Sequence, residues 1–484
     1  MFMTRVTVAR CSVAVGVAML SPAAVCAQGC PTPQWVQMSA TEPSPRNYPA
    51  MAYHEASRRT ILFGGMIGLD WPNVGAHGET MSWDGTAWTV LNPGGDVPFK
   101  RFETPMTYDS ARKRIIMHSG AAIEWSPNNH HIPGTFEFDG TDWFQVSPVG
   151  PLARHAHGLV YDAARNRTVM IHGKHAMDDT WEWDGVAGAW DFRVNGGMAS
   201  RGWAGYAFDP IRARTVVFGG YDATFAKLGD TWEWDGNSWL LKAPTQAQPG
   251  GPGPRNGVAM TWDPVRQRVV MVGGESPTAQ HTDVWEWDGT AWTPRATVGL
   301  TPRVNHAIAY DTHRSRLIVS CGVRGATSLG ETWELVTDPR IDAAVPDAAA
   351  DAGQTVVLGV GASGTGTLSY QWSKGAVPLT DAGRFSGTTS PSLTITGVRV
   401  IDAGEYFVTV TGQCAEKTRS HAGVSVICRG DLDASGGVNT SDLTAFLALF
   451  GATVPASNPA DFNADGAVNT VDLVSFLAAF GSNC

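Results

Sequence analysis

The sequence predicts a mainly β protein. Six copies of a four-stranded sheet close into a ring through the N-terminal strand, and a β-sandwich and a small all-α C-terminal module follow. Three observations predict it. The stretch Thr231-Trp232-Glu233-Trp234-Asp235-Gly236, with Trp239 just behind it, recurs in altered copies between residues 80 and 335. Gly (55), Pro (29) and Trp (19) are abundant, and no long stretch reads as helix before the C-terminal tail, a composition of short strands and many turns. Near the C-terminus one pattern of acidic and amide side chains occurs twice.

The chain has 484 residues, too many for one core, so several domains are expected. Its net charge is −10 and it carries no basic stripe, which excludes nucleic acid as an expected partner. Residues 1–27 read as a secretory signal peptide: Arg5 and Arg10 open it, Cys11–Leu20 is a short apolar run, and Val25-Cys26-Ala27 offers small residues for cleavage. That run is too short to span a bilayer, no other approaches the length, and neither Cys26 nor Cys30 follows a convincing lipobox. The expectation is a protein without a transmembrane anchor, secreted or at the cell surface, where disulfides persist.

Residues 30–337 carry the repeat. The hexapeptide returns as Thr180–Gly185, Asp283–Gly289, Thr135–Gly140 and Thr80–Gly85, and a last copy, Thr332-Trp333-Glu334-Leu335, lacks its second half. Each unit opens with an arginine: Arg46, Arg101, Arg154, Arg201, Arg255 and Arg303. An aromatic–acid pair such as Tyr108-Asp109 follows, then a basic turn, a β-branched run ending in Gly-Gly or its equivalent, the Trp strand, an Asp-Gly turn and a strand with a lone Trp. The opening arginines are spaced 55, 53, 47, 54 and 48 residues apart, a period that suits four strands per unit. The Gly-Gly, the aromatic–acid pair and the late Trp resemble kelch repeats and the central domain of galactose oxidase, and imply a six-bladed β-propeller. The sixth unit has no late Trp, but Trp35 precedes Arg46 by the same eleven residues that separate Trp143 from Arg154. The N-terminal strand is therefore expected to complete the last blade.

Residues repeated in every blade are expected to pack blades and form ion pairs, so no catalytic residue is assigned to them. Departures from the repeat point to a ligand. The first two units have long insertions, Met66–Glu79 and Ala121–Gly134, which carry Trp71, Trp125, His130 and His131. Trp203 is off-repeat too, at the place Tyr48 holds in the first unit, and His155 and His157 read as one face of a strand nearby. Aromatic rings with Asn and His on one rim suit a glycan or protein ligand. No tight metal motif joins these histidines. Copper chemistry of the oxidase kind needs a Tyr cross-linked to Cys, and Cys321 has no such surroundings in the sequence.

Residues 338–427 resemble an immunoglobulin-like sandwich, with Trp372 as the core Trp, Tyr406 as the tyrosine corner, and Val360 and Val408 where the inter-sheet cysteines usually stand. A spacer or adhesion module is the expected role. Cys414 has no evident mate; Cys30 and Cys321 are both candidates.

Residues 428–484 carry two calcium-loop registers thirty residues apart. Asp431, Asp433, Ser435, Asn439 and Asp442, with the carbonyl of Gly437, form the first. Asp461, Asn463, Asp465, Asn469 and Asp472, with the carbonyl of Ala467, form the second. Oxygen donors at positions 1, 3, 5, 7, 9 and 12, with Gly at 6, are what a calcium loop requires. Duplicated loops ending in Asp, each leading into one helix, resemble a type I dockerin. That resemblance implies two calcium ions and a cohesin-like or cell-surface partner. Cys428 and Cys484 bracket the module and are expected to pair. A dockerin-like pair after an immunoglobulin-like domain resembles secreted proteins of planctomycete-type bacteria. The expected function is a secreted modular binding protein with a recognition surface and a calcium-dependent docking or sorting module. The alternatives are a carbohydrate-active enzyme or its subunit in polysaccharide breakdown, and a structural cell-surface component.

Overall fold

The computed structural model of the chain describes residues 30–481, except 70–73, 123–130, 149, 175–176, 245–249, 434 and 456–457. By its contacts the chain divides into residues 1–31, of which Cys30 and Pro31 are described, and residues 32–484. In the larger unit each sequence repeat becomes one antiparallel four-stranded sheet. The first strands of the six sheets, blades 1 to 6, begin at Ala50, Met106, Gly158, Gly205, Ala259 and Ala307. Each packs against the first strand of the next blade, and Ala307–Asp311 packs against Ala50–His54, so the cycle closes.

The seam is where the Trp spacing puts it. Gln34–Ser39 pairs antiparallel with Thr332–Val336, Trp35 opposite Leu335 and Gln37 opposite Trp333. This supplies the fourth strand of blade 6 and leaves no missing edge there.

Indole N–H groups tie blades 1 to 5 each to the one before it. The late Trp of blades 1 to 5 donates from Nε1 to a threonine hydroxyl of the preceding blade: Trp88 to Thr332, Trp143 to Thr80, Trp190 to Thr135, Trp239 to Thr180 and Trp292 to Thr231, all at 2.8–2.9 Å. The second Trp of the motif donates to the preceding blade's motif Glu: Trp83 to Glu334, Trp183 to Glu137, Trp234 to Glu182 and Trp287 to Glu233. The same glutamates are buried against arginines of the first turn, as in Arg165–Glu182 at 2.6 Å and Arg314–Glu334 at 2.7 Å. The repeated acids thus serve packing, as expected of side chains present in every blade. The opening arginines use other acids: Arg154 pairs with Asp179, Arg201 with Asp230, Arg255 with Asp283 and Arg303 with Glu331.

The sandwich has a five-stranded and a three-stranded sheet. Trp372 is fully buried between them and donates to the Ser390 carbonyl at 2.9 Å; the Tyr406 hydroxyl donates to the Asp402 carbonyl at 2.8 Å. Val360 and Val408 are buried in this core, so packing fills the place of the usual disulfide. The sandwich is docked against the propeller. Arg266 of blade 5 grips both oxygens of Glu416 at 2.9 and 2.8 Å, Ser315 of blade 6 exchanges hydrogen bonds with the Arg419 backbone, and Arg58 of blade 1 pairs with Asp347. All three propeller residues lie in first turns, at one end of the inner strands.

Two helices, α1 (Thr440–Leu449) and α2 (Thr470–Ala479), close the described chain. They meet through Phe446 and Phe476, ring centroids 4.9 Å apart. Cys30, Cys414 and Cys428 are disulfide-bonded. Cys321 is a buried free thiol, which removes it as a mate for Cys414. Cys484 lies outside the described residues. Among those residues no helix is long and apolar enough to cross a membrane.

The seam breaks the indole pattern once. The threonine position of blade 5 holds Val284, and Trp35 Nε1, which would reach it, is buried with no partner among the described residues. Val284→Thr should therefore stabilise the protein by about 1 kcal/mol in equilibrium denaturation. Thr231→Val, which orphans the indole of Trp292, should cost about 1–3 kcal/mol. Two shifts of the same sign would refute this account of the ring.

Candidate functional site

The residue two places after each opening arginine is left-handed in every blade. Tyr48, Glu103, Ala156, Trp203, Gly257 and Asn305 have φ of 52, 52, 55, 54, 59 and 57°. Only one is a glycine, and the others bear the cost of that conformation because the geometry makes a ring. Each backbone N–H donates to the carbonyl of the same residue one blade earlier: Glu103 to Tyr48 at 3.3 Å, Ala156 to Glu103 at 3.2 Å, Trp203 to Ala156 at 3.1 Å, Gly257 to Trp203 at 2.8 Å and Asn305 to Gly257 at 2.9 Å. Tyr48 donates to Asn305 at 3.1 Å and closes the six-membered cycle.

The opening arginines hold this ring in place. Each donates to the carbonyl at the end of its blade's second strand, Arg46 to Gly64, Arg101 to Ser119, Arg154 to His172, Arg201 to Gly219, Arg255 to Gly273 and Arg303 to Cys321, over 2.9–3.4 Å. A buried arginine anchored on a carbonyl fixes where each inner strand begins.

All six ring residues line one cavity of about 180 Å³ at the start of the inner strands. A second cavity of about 160 Å³ shares its walls, and a third of about 340 Å³ continues to the opposite end, so the axis holds a channel. The mouth is polar and aromatic. His155 Nδ1 lies 2.5 Å from Glu103 Oε2, and the His131 ring stacks on His155 at 4.8 Å. Burial, with Glu103 nearby, pushes the Tyr48 hydroxyl well above its ordinary range. Trp203 sits between Tyr48, His155 and Tyr221, at 6.4, 6.3 and 6.0 Å, with Lys174 5.2 Å over its ring. Its Nε1 is buried and, among the described residues, has no hydrogen-bond partner.

Of the residues singled out from sequence, the structure brings His131, His155 and Trp203 together at this mouth. Trp71, Trp125 and His130 lie outside the described residues. His155 and His157 do not share a strand face as expected. Ala156 between them is left-handed, so the alternation of a strand does not apply. His155 stays at the rim, and His157 lines the cavity wall beside His118, ring centroids 6.1 Å apart. His118 and His157 are buried and held neutral: burial, then Arg154 and Arg101, draws His118 down to about 3, and burial with the neighbouring His118 draws His157 well below its usual value. Sequence reading missed Glu103, Asn305 and Tyr48 as ring members. The constant offset from the opening arginine was the available signal.

Among the described residues, the one group of His, Cys, Asp or Glu side chains close enough to share a metal is Asp431, Asp433 and Asp442, their donor atoms within 4.8 Å of one another. The loop is shaped by its own backbone. Asp431 accepts from Ser435 and Gly436 N–H, both at 2.9 Å, and Asp442 accepts from Leu432 at 2.7 Å and Asn439 at 2.8 Å. The second loop repeats this with Asp461 on Gly466 at 2.8 Å and Asp472 on Phe462 at 2.8 Å. Gly436 and Gly466 take φ of 92 and 87°, the sharp turn that position 6 requires. Asp442, Asp461 and Asp472 are fully buried, and among the described residues none forms an ion pair with a basic side chain. Buried carboxylates without a basic partner fit a cation.

The immunoglobulin I-set domain model matches residues 339–426. No curated protein matches the chain. Among solved structures the chain is similar to the structure of YjhT, at 10% identity and a TM-score of 0.47 over 63% of this chain and 97% of that one. It is also similar to the titin M3 domain, at 25% identity and a TM-score of 0.17 over 18% and 96%, and to titin M4, at 18% identity and 0.17 over 19% and 100%.

The ring makes opposite demands at two positions. A Cβ on Gly257 would lie 2.2 Å from Asn305 Oδ1 and 2.4 Å from Val304 Cγ2, so Gly257→Ala should lower stability by about 1–3 kcal/mol. Ala156→Gly keeps the conformation and should stay within about 1 kcal/mol of the parent. Denaturant midpoints of the two variants check the pair.

Proposed function

We propose that the chain is a secreted modular binding protein. A six-bladed kelch-like propeller recognises a glycan or protein ligand at its ring mouth, and calcium organises a C-terminal docking or sorting module. The single observation that carries the recognition site is the ring: one left-handed backbone position repeated six times, filled by six different residue types. Backbone bonds link the ring residues and the opening arginines anchor them, so the ring positions are free to differ in side chain, and strain of this kind gathers at binding sites. The sandwich engages the opposite end of the inner strands through Arg58, Arg266 and Ser315.

In the tail, Asp431, Asp433, Ser435, Asn439 and Asp442, with the Gly437 carbonyl, would hold one calcium ion. Asp461, Asn463, Asp465, Asn469 and Asp472, with the Ala467 carbonyl, would hold a second. The ion supplies positive charge to carboxylates that the fold buries. Each loop offers three carboxylates, with Ser435 neutral in the first and Asn463 neutral in the second, so the two sites are matched in charge. Pairing of Cys428 with Cys484 would staple the module, and a cohesin-like or cell-surface protein would be its partner.

Two experiments test this reading on the full chain. Glycan and peptide arrays should give hits that are lost in Trp203→Ala; silence on both arrays removes the recognition function, and product release from a hit makes the protein an enzyme. Calcium titrated into chelator-treated protein should raise helix content with a stoichiometry near two and affinities of about 10⁻⁷–10⁻⁴ M. Asp472→Asn should remove the second site and lower the stoichiometry to near one. No calorimetric heat up to roughly millimolar calcium would refute the metal sites.

A further inference from the structure

Beside the ring mouth lies a separate pocket of about 150 Å³, room for one ring-sized group rather than a whole ligand. Trp203 is the wall it shares with the channel. Tyr221 meets Trp203 nearly at right angles, 88° at 6.0 Å, and Phe225 flanks Tyr221 at 6.2 Å. Phe225 is 64% exposed and left-handed, with φ 63°. A large apolar ring held there in an uncommon conformation has no packing role to explain it.

The charges in the pocket single out one group. Arg201 is spent on Asp230, at 2.8 and 3.1 Å. Asp222 is turned into its own loop, accepting from Thr224 N–H, Thr224 Oγ1 and Ala226 N–H at 2.7–2.9 Å. Lys227, behind Tyr221, pairs with Glu275 at 3.3 Å and donates to the Ser276 carbonyl. Lys174 lines the pocket and, among the described residues, has no carboxylate partner; its contact is the face of Trp203. One uncommitted ammonium therefore stands over flat aromatic walls, beside the buried Nε1 of Trp203, which has no hydrogen-bond partner among the described residues.

We propose that this pocket is a subsite for a sugar unit bearing a carboxylate, a uronic acid residue. Its C–H face lies on the aromatic walls and its carboxylate pairs with Lys174. The proposal rests on the recognition reading above and narrows it to an acidic glycan. A pyranose ring has apolar faces that suit stacking and a carboxylate at its edge, which matches walls and charge together. An aspartate or glutamate side chain would meet the ammonium and leave the three rings uncovered.

The test measures binding of an oligogalacturonate and of its methyl ester by the full-length protein, the ester keeping the ring and losing the charge. The wild-type protein should prefer the acid by roughly tenfold at low salt. Lys174→Gln should abolish that preference and leave the ester's affinity unchanged, and Phe225→Ala should weaken both ligands several-fold. Lys174 and Phe225 both reach solvent, so neither variant endangers the fold. Equal affinity for acid and ester, failure to bind either, tighter binding of an acidic peptide, or a preference that survives Lys174→Gln would each overturn the subsite. Neutral array hits that depend on Trp203 and ignore Lys174 would leave the recognition reading standing while this proposal falls.

Discussion

The structure depends on indole N–H groups that reach from one sheet into the sheet before it. A lone four-stranded sheet exposes two faces and cannot bury its own tryptophans, so each blade is stable only against neighbours. The indoles supply both parts of that contact: a large apolar area, and a polar group that must be satisfied once buried. Five late tryptophans find a threonine and four motif tryptophans find a glutamate, always in the preceding blade. The contact has a direction, and five of the six steps around the cycle carry it; at the sixth, blade 6 to blade 5, Trp35 shares an apolar cluster with Val284 instead.

The exceptions obey the same rule. Blade 2 has Phe138 in place of the second Trp, and the acceptor it would have needed in blade 1 is Ser82 rather than Glu. Blade 6 has Leu335 there, and the preceding Glu286 is held by Arg266 at 2.6 Å and Arg295 at 3.4 Å. Blade 2 also lacks the acid that elsewhere meets the opening arginine: the position is Gly134, and the Trp that would share that acid is Phe136. Arg101 lies over the Phe136 ring instead, at 5.0 Å. In blade 2 donor and acceptor are lost together, and in blade 6, where only the donor is lost, arginines hold the acceptor Glu286, because a buried group left without a partner is costly. Among the repeat's late tryptophans Trp35 is the exception, its Nε1 having no partner among the described residues.

Much of the architecture was legible in the sequence because it is written in residue type at fixed spacing. Trp, the opening Arg and the aromatic–acid pairs gave the sheets. The interval from Trp35 to Arg46 gave the seam, and Trp372 and Tyr406 gave the sandwich. The ring at the mouth was not legible in that way. Its defining property is a backbone angle, and Tyr48, Glu103 and Trp203 are not residues that favour the left-handed region. Blade-to-blade hydrogen bonds impose it, and those exist only once the circle is closed. The same feature explains the misplaced pair His155 and His157, since the strand begins only at Gly158 and the left-handed Ala156 breaks alternation before it. Docking of the sandwich was invisible for a different reason. Arg58, Arg266 and Ser315 sit in ordinary surface turns, and nothing local marks them as contacts.

These two features share one origin. A repeat protein cannot vary the residues that join its blades without orphaning a partner, so variation is confined to positions whose backbone bonds do not involve side chains. Ring residues are joined to one another by main-chain hydrogen bonds, and the first turns are closed by an aspartate that accepts from the backbone, as Asp263 and Asp311 do. At both ends of the inner strands the remaining side chains are therefore free to specialise. At one end they hold the sandwich through Arg58, Arg266 and Ser315. At the other they gather Tyr48, Glu103, Trp203 and Asn305 around an open channel. Engagement of the turn end by another part of the same chain is the physical reason to look for a ligand at the ring.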